Sequence, residues 1–269
     1  MEPYFILYVE IMMRLLTINI HKGFSTLNKR FVLRELRNAI RSTSADVVFL
    51  QEVVGKNSKK AIKHPDWPEI AHYEYLADLT WPYYAYGKNA VYPGGHHGNA
   101  ILSRYPIKYF TNTDISTNRI EKRGLLYCVV DIPESPVPLH CICVHLGLSA
   151  LSRRKQLIML ESFISRTIPR GDPVVLAGDF NEWRGKKRRE PLISLGLSDA
   201  ALETRGKAVR TFPSWLPLLP LDRICVRGMT AKHSRIYNKG IWSKLSDHAA
   251  FFTEVEMLAT GDQMIGRAV

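Results

Sequence analysis

Eight polar side chains in this 269-residue chain fall where apolar, strand-like runs end: Asn19, Glu52, His145, Asp179, Asn181, Asp222, Asp247 and His248. The stretch LAGDFNEW, residues 176–183, is the sharpest case. A run that begins with Val174, Val175, Leu176 and Ala177 breaks at a glycine and presents Asp179 and Asn181. Aspartate and asparagine both disfavour strands. Taken alone, the pair reads as a turn, which both residues favour. Glu52 alone reads as a surface carboxylate, His145 as a satisfied, partly buried histidine, and Asp222 as a salt bridge to Arg223. Several strands delivering carboxylates, amides and imidazoles to one rim are instead the parts of a metal-assisted site. A metal-assisted displacement needs a deprotonated nucleophile, neutralised charge around the reacting centre and a protonated leaving group. A metal ion supplies several kcal/mol toward the second need. A positioned acid or base contributes roughly 10²–10⁴-fold.

The elements that must position these groups follow from the pattern. Leu15–Ile20 and residues 46–53 read as strands. Between them Val32, Leu36, Ala39 and Ile40 recur at helical spacing, with Asn28 as a cap. Residues 54–98 are loop-rich, with Pro65, Pro68, Pro82 and Pro93. Strands are expected at 99–103, 124–132, 139–146, 173–179, 222–227 and 248–255, and a helix at 152–168 with Leu157, Leu160, Ile164 and Ile168 on one face. Many strands with few, non-alternating helices point to two packed sheets flanked by helices. One domain is expected over residues 14–256. Residues 1–13, which lack a signal-peptide pattern, then form an extension outside the catalytic fold, and 257–269 a polar tail.

In their order and spacing the motifs resemble the endonuclease/exonuclease/phosphatase (DNase I-like) superfamily, in a bacterial branch of it. The matching stretches are TINIHKG (17–23), FLQEV (49–53), HGNAILSRYPI (97–107), EKRG (121–124), CVHLGL (143–148), AGDFNEW (177–183), LDRI (221–224) and LSDHAA (245–250). The resemblance implies a four-layer α/β/β/α sandwich of two mixed sheets, with the site where the sheets meet. It makes Glu52, assisted by Asn19 and Asp247, the ligand set of a divalent cation, and hard oxygen donors suit Mg²⁺ or Mn²⁺. It gives Asp179 and Asn181 the attacking water and a phosphate oxygen. His248, held by Asp222, becomes base or electrostatic partner, and His145 faces the phosphate from the other side. Arg123, Asn99, His97 and Arg184 are the candidate substrate contacts. His21 departs from the abasic-site endonucleases, which carry an acidic residue there.

Lys and Arg number 37 against 25 Asp and Glu, a formal net charge of +12, which favours anionic partners. Three basic clusters adjoin the motifs: Lys56–Lys63, Arg184–Arg189, and Arg227, Lys232, Arg235, Lys239 and Lys244. They favour a nucleic-acid backbone, so a metal-dependent nuclease is the leading expectation. The stretch FPSWLPLLPLDR (212–223) puts Trp215, Leu216, Leu218 and Leu219 before Asp222. That apolar lip makes a phospholipid or sphingomyelin-like headgroup the rival substrate, through peripheral contact with an anionic membrane. An inositol phosphate phosphatase is a further alternative, and a non-catalytic anion-binding module is disfavoured because every mapped position is filled. No apolar run reaches the length of a membrane-spanning helix. The four cysteines form no C-x-x-C pair and read as buried small hydrophobes. The expectation is a cytoplasmic monomer.

Overall fold

The central strands are mostly continuous buried runs, and only the first half of the opening strand alternates buried with exposed residues. In the computed structural model, which describes residues 8–133, 135–182 and 190–260, the first strand β1 runs Tyr8–Asn19. Ile11, Met13 and Leu15 point into the core while Glu10, Met12 and Arg14 point out. The expected boundary at Arg14 therefore falls inside a strand. Residues 8–13 pair antiparallel with 255–260, from Tyr8↔Thr260 to Met13↔Val255. The alternation simply continues upstream through the two methionines. The expected tail also starts too early, because Met257 is buried in the same core.

After β1 come helix α1 (Leu33–Ser42), β2 (Val47–Asn57), short helices α2 (Ser58–Lys63) and α3 (His72–Ala77), β3 (Tyr83–Tyr92) and β4 (Gly95–Ser103). The second half carries β5 (Ile107–Asp114), β6 (Gly124–Val130), β7 (Leu139–His145), α4 (Ala150–Thr167) and β8 (Val174–Asp179). It closes with α5 (Glu190–Ser194), β9 (Ser198–Asp199), α6 (Ala200–Arg205), β10 (Asp222–Arg227), β11 (Thr230–Tyr237) and β12 (Ala250–Thr260). The region 54–98, expected to be loop-rich, thus holds the end of β2, two helices, β3 and the start of β4. Asn28 does not cap α1. It sits in a separate 3₁₀ turn, and Val32 takes the cap position without a side-chain bond.

Two mixed six-stranded sheets result, ordered β11-β12-β1-β2-β4-β3 and β5-β6-β7-β8-β10-β9. Their inner faces share one core, with Phe49 and Phe251 from the first sheet against Leu126, Cys141 and Ile224 from the second. α1 and α3 cover the first sheet, and α4 and α5 the second, giving the four-layer sandwich. All four cysteines are buried, and no disulfide joins them. Each sheet contains one parallel pair, β1–β2 and β7–β8. A parallel pair needs a crossover, and α1 and α4 lie in those connections. Parallel neighbours also end on the same side, and that property delivers the polar residues. Among the described residues no helix is long and apolar enough to cross a membrane.

Candidate active site

The parallel pair β1–β2 brings Asn19 alongside Gln51. The pairing of β2 with β4 then shifts between Leu50 and Val53. Glu52 sits in that irregularity with φ 57, a left-handed conformation that is rare for a glutamate. The break turns its carboxylate out of the strand's alternation. Gln51 beside it is fully buried and donates to Thr17 Oγ1 and Cys143 Sγ, both at 3.2 Å, tying the two sheets together at the site. In the second sheet His145 stands in register with Asp179, and Asp179 with Asp222. One row across β7, β8 and β10 therefore carries all three. Gly178 has φ 143, and a Cβ there would lie 1.9 Å from the Val144 carbonyl oxygen, so only glycine lets these strands approach.

The side chains converge on one oxygen. Asp179 Oδ2 receives the Asn19 amide at 3.2 Å and lies 3.4 Å from His145 Nε2 and 3.7 Å from His248 Nε2. Its other oxygen accepts the Asn181 N–H at 2.9 Å, while Asn181 Nδ2 donates to the Leu146 carbonyl at 3.0 Å. His248 Nδ1 is 2.8 Å from Asp222 Oδ2, and the Phe212 ring lies 5.0 Å from the His248 ring. Asn19 Nδ2 also reaches Glu52 Oε1 at 3.4 Å. Ser246, whose hydroxyl the motif reading passed over, donates to the Asn19 carbonyl at 2.6 Å and accepts the His248 N–H at 3.2 Å. It locks the two motifs to each other.

Burial and neighbouring charge split the two histidines. Burial works against a charged His248, but Asp222, Asp179 and the hydrogen bond that the ring donates to Asp222 outweigh it and lift the ring to about 10. It is an imidazolium at neutral pH. Burial, reinforced by Arg123, drops His145 to about 4 despite Asp179 and Glu52, so that ring is neutral. Asp179 is raised, chiefly by burial and further by Asp222, with His248 and His145 pulling the other way. Burial opposes ionisation of Glu52, yet positive charge at His145 and Lys22 holds the carboxyl well below the usual range. Because His145 is neutral, the working partner is the Lys22 ammonium, 2.9 Å from Glu52 Oε2.

The sequence profile of the endonuclease/exonuclease/phosphatase family matches residues 16–248. The chain belongs to this family. It is 47% identical over 244 residues to the uncharacterised protein YbhP of Escherichia coli K12, covering 91% of this chain and 96% of that one. Among solved structures it is similar to an endonuclease/exonuclease/phosphatase of Beutenbergia cavernae, with TM-score 0.72 at 19% identity over 91% of this chain and 72% of that one. D. rerio TDP2 complexed with a single-strand DNA product aligns with TM-score 0.67 at 19% identity, covering 91% and 98%. A mannosyl-6-phosphatase of Bacteroides thetaiotaomicron gives 0.67 at 13%, covering 90% and 99%. These three likenesses bear on the fold.

A family phosphoesterase site needs a place for a divalent ion, and two sets of donors offer one. Among the described residues, Asp179, Asp222 and His248 form the cluster whose ligand atoms lie within 4.8 Å of one another. There the imidazolium already compensates the carboxylates, and a protonated ring nitrogen is no ligand. The Glu52 side fits better. It offers an ionised, largely buried carboxylate, the Asn19 amide oxygen, and Asp247, whose Oδ1 is 3.4 Å from His21 Nδ1 and 3.3 Å from Ser246 Oγ. Asn19 Oδ1 accepts the His21 N–H at 3.0 Å, and an amide oxygen has a second lone pair to offer. Lys22, not foreseen as a site residue, is the cation now on Glu52.

The other family positions scatter. His97 on β4 lies close enough to Glu52, Lys22 and Arg123 to feel their charge, is lowered to about 4 mainly by burial, and has a buried Nδ1 without a hydrogen-bond partner. Arg123 pairs with Glu121 at 3.0 Å while influencing His145. Asn99 is buried and donates to the Gly124 and Cys143 carbonyls at 3.0 and 3.3 Å, bridging the sheets. Arg184, with the rest of the 184–189 cluster, lies outside the described residues. The third basic cluster splits. Asp222 opens β10 at the site, but Arg227 closes it about 17 Å away, bonded to the Asp172, Leu195 and Pro169 carbonyls. Lys232 lies toward the same remote end, paired with Glu256 at 2.8 Å. Strand direction separates what sequence adjacency suggested was one patch.

Proposed function

We propose that the chain hydrolyses phosphodiesters with the help of a divalent cation, Mg²⁺ or Mn²⁺. The observation that carries the reading is the convergence of Asn19, His145 and His248 on Asp179 Oδ2 beside the ionised Glu52. Glu52, Asn19 and Asp247 would hold the cation, which when bound neutralises phosphoryl oxygens. Asp179, whose proton affinity is raised, accepts the proton of the attacking water. His248, charged and oriented by Asp222, stabilises the negative charge that builds on the phosphoryl oxygens. His145 offers a neutral ring to the opposite side, and a bound phosphate raises its tendency to hold a proton. Asn181, fixed at φ 48 by its two hydrogen bonds, keeps the Asp179 carboxylate aimed.

On substrate, the nucleic-acid reading is supported by Lys59, Lys60 and Lys63, which with Asn57 and Tyr92 line a groove on the α2 side. TDP2, whose structure holds a single-strand DNA product, shows one family fold used that way. The phospholipid headgroup remains a second reading, favoured by the exposure of Trp215 and Leu216. The test is hydrolysis of bis-p-nitrophenyl phosphate with and without Mg²⁺, compared with p-nitrophenyl phosphate, for the wild type and Glu52→Gln. Calorimetry should show weaker Mg²⁺ binding in the variant. Unchanged affinity would remove Glu52 from the metal site, and preference for the monoester would replace the phosphodiesterase reading with a phosphatase.

A further inference from the structure

Beside the site, past the Phe24 ring that carries the Lys60 ammonium at 4.6 Å, the surface changes character. Leu27 is 74% exposed, Trp215 61%, Leu218 54%, Ile241 52% and Leu216 50%. Single exposed apolar residues are ordinary; these five are not scattered. Leu27, Trp215, Ser243 and Lys244 line one opening together with Lys29 and Arg30, and Ile241 belongs to the 3₁₀ turn that ends at Lys244. Leu27 is held there with φ 62, which a leucine adopts only under constraint. The three contributing segments, residues 20–34, 206–220 and 237–246, contain eight lysines and arginines and no aspartate or glutamate. Arg30 reaches Glu35, just outside the first segment, at 3.3 Å.

The segments are also rigid and tied to the catalytic residues. Leu216 N donates to the Pro213 carbonyl at 3.1 Å and Leu218 N to the Phe212 carbonyl at 2.8 Å, so the tip is a closed turn. Ser214 N donates to the Asp247 carbonyl at 2.7 Å and Thr26 Oγ1 to the Ser246 carbonyl at 3.3 Å. A preformed apolar tip loses little freedom on insertion. Tryptophan and leucine side chains beside Lys29, Arg30 and Lys244 match a bilayer whose headgroups are anionic, because the indole suits the interface and the cations meet the lipid charge. A nucleic-acid backbone would use the cations and leave the leucines in water.

We infer that the tip formed by Leu27, Trp215, Leu216, Leu218 and Ile241 docks the protein on an anionic lipid bilayer, with the active site opening beside the membrane surface. The inference concerns where the protein sits and holds whether or not it cleaves phosphodiesters. It is tested by co-sedimentation with vesicles of equal parts phosphatidylglycerol and phosphatidylcholine, and with phosphatidylcholine alone. The wild type should bind the anionic vesicles and not the neutral ones. Trp215→Ser combined with Leu216→Ser should weaken that binding at least about tenfold. Lys29→Glu with Lys244→Glu should weaken it by about tenfold or more. Both pairs should hydrolyse bis-p-nitrophenyl phosphate at the wild-type rate, which also shows that they fold. Failure of the wild type to bind, or equal binding by the variants, overturns the inference. Loss of duplex DNA affinity with vesicle binding intact assigns the surface to nucleic acid instead. If the wild type leaves the soluble diester intact but binds vesicles, the phosphodiesterase reading fails while docking stands.

Discussion

Two histidine–aspartate pairs, each with a buried imidazole, stand at opposite ends of the second sheet. At one end His140 Nε2 is 2.9 Å from Asp172 Oδ2, and its Nδ1 is 2.8 Å from Tyr127 Oη, with the two rings stacked. At the other, His248 Nδ1 is 2.8 Å from Asp222 Oδ2. The residue types are the same, and strand β7 even carries His140 at its start and His145 at its end. The difference lies in the second nitrogen. Both nitrogens of His140 are taken by groups that only hold it in place. Among the described residues His248 Nε2 has no hydrogen bond and faces Asp179 across 3.7 Å, with His145 and Glu52 beyond. A histidine–aspartate pair is a structural clamp until a free nitrogen points at further ionisable groups.

The largest effect that could break this contrast is on turnover. Asp222→Asn should lower kcat by roughly 10²–10⁴-fold, while Asp172→Asn leaves it unchanged. Equal losses from both in a steady-state diester assay would mean that the remote pair also serves catalysis.

Stability should depend more on the remote end than on the site. His140→Gln should destabilise by about 1–3 kcal/mol, because Asp172 and Tyr127 are left without their partner. Asp179→Asn should cause no loss, since a buried carboxylate beside Asp222 strains the fold more than an amide does. Urea denaturation of the two variants decides.

The pH dependence of stability separates the two site histidines. His248 is raised from 6.5 to about 10, so its contribution is full below 6.5 and is lost as pH climbs toward 10. His145 is lowered from 6.5 to about 4, so stability falls as pH drops from 6.5 toward 4. His248→Gln should flatten the alkaline limb and His145→Gln the acid limb. Unaltered limbs in denaturation series across pH would show that neither ring has the charge assigned to it.

The smallest expected effect concerns Lys22. Removing its ammonium from Glu52 with Lys22→Met should tighten Mg²⁺ binding by about fivefold, a screened Coulomb effect at a partly exposed pair. Weaker binding in calorimetry would make Lys22 part of the metal's surroundings rather than its competitor.

Local pattern was enough for the interior of both sheets and for the long helices. Continuous apolar runs such as Val174–Ala177 read as central strands because they are covered on both faces. β3, β5, β9 and β11 escaped notice, and they are the four edge strands. An edge strand such as β5, with Lys108, Tyr109 and Phe110 exposed, has little apolar signal, since only part of its surface is covered. The boundary expected after Met13 fell inside β1 because Met12 and Met13 hide an alternation that β12, more than two hundred residues away, makes sense of.

By itself the sequence determined the polar residue types at strand ends, their order along the chain and the family they belong to. These are properties of neighbours on one strand, where a period of two and a glycine at 178 carry the information. The tertiary structure decided everything that depends on strand direction and burial. It put Asp222 at the site and Arg227 at the far end of the same strand, and turned Glu52 out through a left-handed break. It charged His248 while leaving His145 neutral, and set Lys22 on Glu52. Proton affinity and patch geometry arise from groups brought together across sheets, and no spacing along one chain encodes those distances.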